Sequence, residues 1–276
     1  MYADDTTLLV SSPDPTILQT DLKSNLGMIA RWFKSNKLTL NIKKTKIMLF
    51  GSSQKLSKFK DTSLTYGNES IEIVNKYKYL GVVFDPNLSW SEHVNYMSSN
   101  VSKRIGVIGR VKNYLPPSTV NMLAKALVFP HFDYCSSVWN NFNAYHHHEL
   151  QVLQNMLARM LLHADIRTPI DQMMEDLNWV KLNCRWDNQS LIVTFKCLKQ
   201  IAPSYLSSIF TFSHATHNKC TRSQTHNALI VPAWNILAGK ITFNYRAAVL
   251  WNNLPQNIRS NFMAMSMYEF KNAIAV

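Results

Sequence analysis

Two adjacent carboxylates, Asp4 and Asp5 in Tyr2-Ala3-Asp4-Asp5, are the groups whose type and spacing could do chemistry most directly. Carboxylate oxygens suit hard divalent cations such as Mg2+. Metal-assisted phosphoryl transfer uses two such ions about 3.5–4 Å apart, one activating the attacking oxygen and one steadying the leaving group. A second feature follows at once. From Leu22 to Lys60 there is no acidic residue, while Lys23, Arg31, Lys34, Lys37, Lys43, Lys44, Lys46, Lys55, Lys58 and Lys60 supply ten positive charges. A run of this kind is either a solvated face or a surface that meets phosphate, and its place just after the acidic pair favours phosphate. Other constellations carry less. His214, His217, Cys220 and His226 have zinc-ligand chemistry, but their spacing fits no standard finger, so they read as a polar loop. Tyr145-His146-His147-His148-Glu149 reads as the solvated first turn of a helix. Cys135, Cys184 and Cys197 read as small core residues. No Ser-His-Asp order or Gly-rich phosphate loop stands out.

The elements that must position these residues are legible from periodicity. Thr7 to Val10 reads as a strand following the acidic turn. Asp14-Pro15 opens a helix, with Asp as N-cap and Pro at the first helical position. Leu18, Leu22, Leu26, Ile29 and Phe33 then mark one face, and the helix is expected to end near Asn36. Lys46 to Phe50, Ile71 to Val74 and Tyr79 to Phe84 read as strands, Ser52 to Thr65 as a loop, and Asp85-Pro86-Asn87 as a turn. Beyond Trp90 the period becomes helical: Ser91 to about Val111, Ser118 to Val128, Glu149 to Leu162 and Lys181 to Lys199. Ala202 to Gly239 is irregular, and short helices are expected at Arg246 to Trp251 and Met267 to Ile274. The fold class is therefore α+β, with a mixed part up to about residue 89 and a mostly helical part after it.

The chain has 276 residues and 46% hydrophobic residues, enough to bury a core and too apolar for wholesale disorder. Four cysteines cannot form a disulfide scaffold, and reduced thiols point to an intracellular setting, nuclear or cytoplasmic. No apolar run reaches the length of a membrane span, and the first residues lack signal-peptide chemistry. A formal charge of +12 favours a polyanionic partner, most often nucleic acid.

The acidic turn and the segments behind it resemble the reverse transcriptases of non-LTR, LINE-type (jockey-like) retrotransposons. Tyr2-Ala3-Asp4-Asp5 is similar to their catalytic turn. Trp32 and Asn36, then Leu38, Leu40, Asn41, Lys44, Thr45, Met48 and Phe50, resemble the next palm motif. Tyr79-Leu80-Gly81-Val82, with Asp85, Leu88, Trp90 and His93, resembles the hairpin that grips the primer end. Phe132-Asp133-Tyr134, Val138-Trp139, Gln154-Asn155 and Arg159 are similar to the thumb region. Leu177-Asn178-Trp179, Leu182, Arg185, Ala202 to Leu206, Thr221-Arg222, Trp251 to Pro255 and Ile258-Arg259 resemble the C-terminal tail. The motifs are short, and their joint order carries the resemblance across nearly the whole chain.

The resemblance implies a partial palm over residues 1–89, a helical thumb over 90–165 and a C-terminal region over 166–276. It implies an RNA-directed DNA polymerase, with Asp4 and Asp5 as Mg2+ ligands and catalytic residues. Tyr2 would pack near the primer terminus. Lys44 would lie near the incoming triphosphate, either as a proton donor to pyrophosphate or as a plain phosphate contact. Arg31, Lys34, Lys37, Lys43 and Lys46 would face nucleic acid. Tyr79, Leu80 and Gly81 would place the primer backbone, although a glycine there can equally relieve a strand bend. The implied partners are an RNA template and a DNA primer, with deoxynucleoside triphosphates only if fingers are supplied; no membrane is implied. Members of the family carry a further metal-binding aspartate and nucleotide-binding fingers upstream of the turn, so Mg2+ is expected to be held poorly and the chain alone to be inactive. A non-catalytic RNA- or DNA-binding module and a decayed insertion are the other readings.

Overall fold

The computed structural model describes residues 5–57, 64–66, 69–141, 143–215 and 227–274. Its contacts divide the chain into two compact units, Met1–His93 and Val94–Val276. The architecture is α+β and mostly helical, with five short strands among the described residues, all of them in the first unit.

Residues 6–12 form neither helix nor strand. Thr7 to Val10, expected as a strand, pairs with no described strand, and Leu9 is 83% exposed. A lone strand has no ladder to join and does not hold the extended form by itself. Helix α1 (Pro15–Ser35) begins where Asp14 predicts: its Oδ1 accepts the Thr16 N–H at 2.7 Å and the Ile17 N–H at 3.4 Å. Those two backbone bonds hold the Asp14 carboxyl below its usual range. The helix ends in a left-handed turn made without glycine. Lys37 takes φ 56°, and the Leu38 N–H reaches back to the Phe33 carbonyl at 2.8 Å. The Asn36 side chain donates to the Trp32 carbonyl at 2.8 Å. No residue of α1 is buried, although its apolar stripe is half-covered.

Strand β1 is only Lys46–Ile47, shorter than the expected run to Phe50. The segment read as loop after Ser52 contains a single helical turn, α2 (Ser53–Leu56), capped by the Ser52 hydroxyl. Strands β2 (Leu64–Tyr66) and β3 (Glu69–Ile73) are antiparallel, and β1 lies parallel to β3 in the order β1-β3-β2, with Lys46 opposite Glu72. The expected strand from Tyr79 to Phe84 is instead a hairpin, β4 (Tyr77–Tyr79) and β5 (Val82–Phe84). Its two-residue turn is Leu80-Gly81, with φ 45° and 83°. Two positive φ values match the right-handed twist of a tight hairpin. A leucine at the first of them hides the turn from composition.

The second unit is helical. It contains most of α3 (Ser91–Val111), α4 (Pro117–Leu127), α5 (Phe129–Asp133), α6 (Ser136–Trp139), α7 (Ala144–Leu162) and α8 (Ile170–Asp176). Then come α9 (Leu182–Leu198), α10 (Ser204–Ser207), α11 (Leu237–Lys240), α12 (Phe243–Asn253), α13 (Gln256–Asn261) and α14 (Met267–Ile274). Helix α3 matches its sequence reading, and α7 begins five residues earlier than expected because Asn143 caps it by accepting the His146 N–H. Helix α9 is the hub: α5, α6, α7, α10, α12 and α14 all pack on it. The aromatic interior includes Phe195 stacked on Phe270 at 4.2 Å and Trp251 edge-on to Phe262 at 5.3 Å. No helix among the described residues is long and apolar enough to cross a membrane.

Candidate nucleic-acid interface

The basic residues that the sequence singles out cluster where α1 stops. Arg31 and Lys34 are one turn apart on the helix, Lys37 sits in its left-handed cap, and all three are exposed. The chain then makes a tight turn organised by Asn41. Its side-chain oxygen accepts the Lys44 N–H at 3.2 Å, and its carbonyl accepts the Thr45 N–H and hydroxyl at 3.0 and 2.9 Å. That turn leaves Lys43 and Lys44 exposed at its tip. Among the described residues, no hydrogen bond or ion pair engages the charged heads of Arg31, Lys34, Lys37, Lys43 or Lys44. Lys46 differs. The parallel register brings Glu72 against it, and the two form an ion pair. The sequence run is unopposed, but in three dimensions Lys46 is already neutralised and leaves the free cationic set.

The hairpin is braced from behind by side chains that the sequence places in the same motif. The Asp85 carboxylate is buried and accepts three backbone N–H groups, from Asn87 at 3.2 Å, Ser89 at 2.9 Å and Trp90 at 2.8 Å. This holds Leu88 and Trp90 in left-handed conformations, φ 52° and 64°. Trp90 is buried, its ring 5.4 Å from Phe84, which in turn meets Phe50. His93 is buried and its Nδ1 accepts the Val83 N–H at 3.2 Å. Burial, aided by the charge of Lys78, pushes the His93 imidazole down to about 4, so it is neutral at physiological pH. Tyr79 is half-buried, Leu80 is 38% exposed and Gly81 forms the turn. Asp85, Trp90 and His93 thus fix the shape of a hairpin whose tip faces outward.

Tyr2 and Asp4 lie outside the described residues, as do Lys58, Lys60, His217, Cys220, Thr221, Arg222 and His226. Asp5 is exposed. Among the described residues no three His, Cys, Asp or Glu side chains gather as a metal-ligand group. One exposed carboxylate does not make the oxygen cage that octahedral Mg2+ requires, so the described residues do not fit the metal by themselves.

In the second unit, many of the residues resembling a thumb and tail help build the interior, while Tyr134, Val138 and Tyr205 are exposed. Asp133 and Arg185 form a two-pronged ion pair, and the Arg185 guanidinium lies 4.7 Å over the Phe129 ring. Trp186 donates to the Phe132 carbonyl at 2.7 Å and Trp139 to the Tyr134 carbonyl at 2.8 Å. Gln154 is fully buried and donates to the Val180 carbonyl at 2.9 Å. Asn252 pairs with both backbone groups of Leu229, accepting at 2.8 Å and donating at 2.9 Å. These motif residues have architectural work.

Two expectations need correcting. His146 is buried, with Nδ1 3.3 Å from the Glu149 carboxylate, and His147 packs edge-on to Trp186 at 4.8 Å, because α7 turns this end toward α9. The His run is therefore not a solvated first turn. Cys135 and Cys184 are exposed, and of the three thiols only Cys197 is a core residue. The sequence reading also passed over Asn140, Asp187 and Arg246. They meet beside His147 at a cavity of the second unit, and only the fold brings them together. Comparisons of the chain with models of protein families, with curated proteins and with solved structures find no match.

Proposed function

We propose that this chain is the phosphate- and primer-holding part of a LINE-type RNA-directed DNA polymerase. The observation that carries the reading is the paired arrangement at the end of α1. Asn36 and Asn41 are committed to the backbone, and Lys37, Lys43 and Lys44 are exposed beside them with no partner among the described residues. A cationic tip with no partner among the described residues suits a nucleic-acid backbone, because phosphate contacts position a duplex without reading its sequence. Asp4 and Asp5 would supply chemistry only with the further aspartate and fingers that such polymerases carry upstream of their catalytic turn.

Binding to an RNA–DNA hybrid or to single-stranded RNA should be largely independent of sequence and steeply salt-dependent. With about four phosphates neutralised, the slope of log affinity against log salt is roughly −3 to −4. Replacing Lys37, Lys43 and Lys44 together by Gln should flatten it by roughly 2 to 3 without altering base preference. Fluorescence anisotropy across a salt series measures both slopes, and an unchanged slope in the triple variant removes this surface from the interface. Lys46→Gln should change the slope by much less, since Glu72 already neutralises it.

A second expected result concerns activity. The 276 residues alone should not extend a primer on an RNA template in Mg2+ or Mn2+. Extension that vanishes on Asp4→Asn would show that the chain is catalytically sufficient. Binding without extension is also the behaviour of a non-catalytic nucleic-acid-binding module; supplying the fingers and upstream palm of a LINE-type polymerase in trans separates the two, because only a polymerase part gains extension.

A further inference from the structure

Arg31, Lys34 and Lys37 share the last turn and cap of α1 with an aromatic side chain that phosphate binding leaves unused. Trp32 is 49% exposed. Met28, one turn before it on the same helix face, is 50% exposed, and Leu38, just past the cap, is 52% exposed. Among the described residues the Trp32 indole has one ring neighbour, Phe33, which it meets edge-on with centroids 5.6 Å apart, so no ring lies flat against it. The backbone beneath it is held. The Trp32 carbonyl accepts the Asn36 N–H at 3.0 Å and the Asn36 side-chain amide at 2.8 Å.

Single exposed apolar residues are ordinary on protein surfaces. The company of this one is not. Arg31 precedes it, Lys34 and Lys37 follow within five residues, and their charged heads have no partner among the described residues. Trp234, the other half-exposed tryptophan, has no charged residue between Leu229 and Gly239. An indole among free cations combines the two parts of a single-strand site: basic heads neutralise phosphates, and a base lies on the aromatic face. A base inside a duplex keeps both of its faces in the stack and offers neither to a side chain. An acidic peptide satisfies the cations and leaves the indole without a role. The fixed last turn means that little of this backbone remains to be ordered on binding.

We infer that Trp32 is a stacking platform for an unpaired base of the nucleic-acid strand whose phosphates Lys37, Lys43 and Lys44 hold. The inference rests on the phosphate-binding reading and deepens it, because it selects single-stranded nucleic acid at this end of α1. Every base has a π-face, so the preference is for a base over no base and not for one base over another. Met28 extends the apolar surface one turn back along the helix.

Fluorescence anisotropy of two labelled octamers with the full chain tests the inference. One octamer is uridine throughout, and the other has the same ribose-phosphate backbone without bases. At one salt concentration the uridine octamer should bind at least about fivefold tighter, the low end of what one stacked base contributes. Trp32→Ala should abolish that advantage and leave the affinity for the abasic octamer unchanged, while Trp32→Tyr should keep most of it. The two octamers should give the native chain equal salt slopes, because stacking releases no counterions. Equal affinity of the native chain for both octamers overturns the inference without recourse to a variant. So does a Trp32→Ala chain that weakens both octamers alike, which assigns the indole to packing. Either outcome leaves the salt slope and its dependence on Lys37, Lys43 and Lys44 in place. A slope that their triple replacement by Gln does not change removes the phosphate reading, and this inference with it.

Discussion

Asp85→Ala should cost the first unit about 4 kcal/mol, more than any surface change in the chain. The buried carboxylate accepts three backbone N–H groups, and hydrogen bonds to a charged acceptor contribute roughly 1.5–3 kcal/mol each, less than additively when they share a partner. Alanine leaves the Trp90 N–H without its acceptor in the interior and releases the constraint on two left-handed residues, Leu88 and Trp90. Asp85→Asn retains one acceptor oxygen and should lose about half as much. Amide exchange at Val82 and Val83, read against denaturant, measures the effect within this unit. A loss below about 1 kcal/mol for the alanine variant would mean that the loop holds its shape without the carboxylate.

The second large effect is a pH window set by His93. The folded imidazole titrates near 4, against an ordinary value of 6.5 in the unfolded chain. Between those values the unfolded state binds the proton and the folded state does not, so stability rises with pH across the window. The neutral ring's contribution is complete above pH 6.5 and is lost progressively as the pH falls toward 4. The total loss is about 3 kcal/mol, with little further change from this group below that. The cause is burial, aided by the charge of Lys78, and the neutral Nδ1 is then free to accept the Val83 N–H. His93→Gln should lower stability at pH 7 and remove this component of the pH dependence. His131 and His147 are also shifted down by burial but belong to the second unit, so the readout must again be local exchange in the hairpin. A variant that keeps the full slope would assign the window to other groups.

Much of the fold could be read ahead of the structure wherever local chemistry decides it. Asp14 and Pro15 specify the start of α1, and the spacing of Val94, Val101, Ile105 and Ile108 specifies α3. The errors fall where distant contacts decide. Helices α5, α6, α8 and α13 are only four to seven residues long, too short to form on propensity. They exist because Phe129, Phe132, Trp139, Met173, Met174 and Ile258 are buried by other elements. Periodicity runs a strand through Leu80-Gly81 because leucine rarely takes positive φ, whereas the resemblance to a primer-gripping hairpin points to the turn. The basic face was legible as charge, but Lys46 left it through Glu72, 26 residues away, by a parallel register that no local pattern announces. Asn140 and Arg246 are 106 residues apart, so their cavity had no sequence signature.

The burial of tryptophan gives this protein an optical consequence. Of seven indoles, Trp90, Trp139, Trp179, Trp186 and Trp251 are no more than 5% exposed, while Trp32 is 49% and Trp234 42% exposed. Each compact unit therefore carries one emitter open to collisional quenchers. Their surroundings differ in sign. Trp32 sits in the sequence between Arg31 and Lys34, while the residues from Leu229 to Gly239 around Trp234 carry no charge. Iodide concentrates near the first and caesium is kept from it, whereas the second discriminates little between them. The ratio of the two quenching constants thus separates the units in the intact chain, and a polyanion that covers the end of α1 shields Trp32 alone.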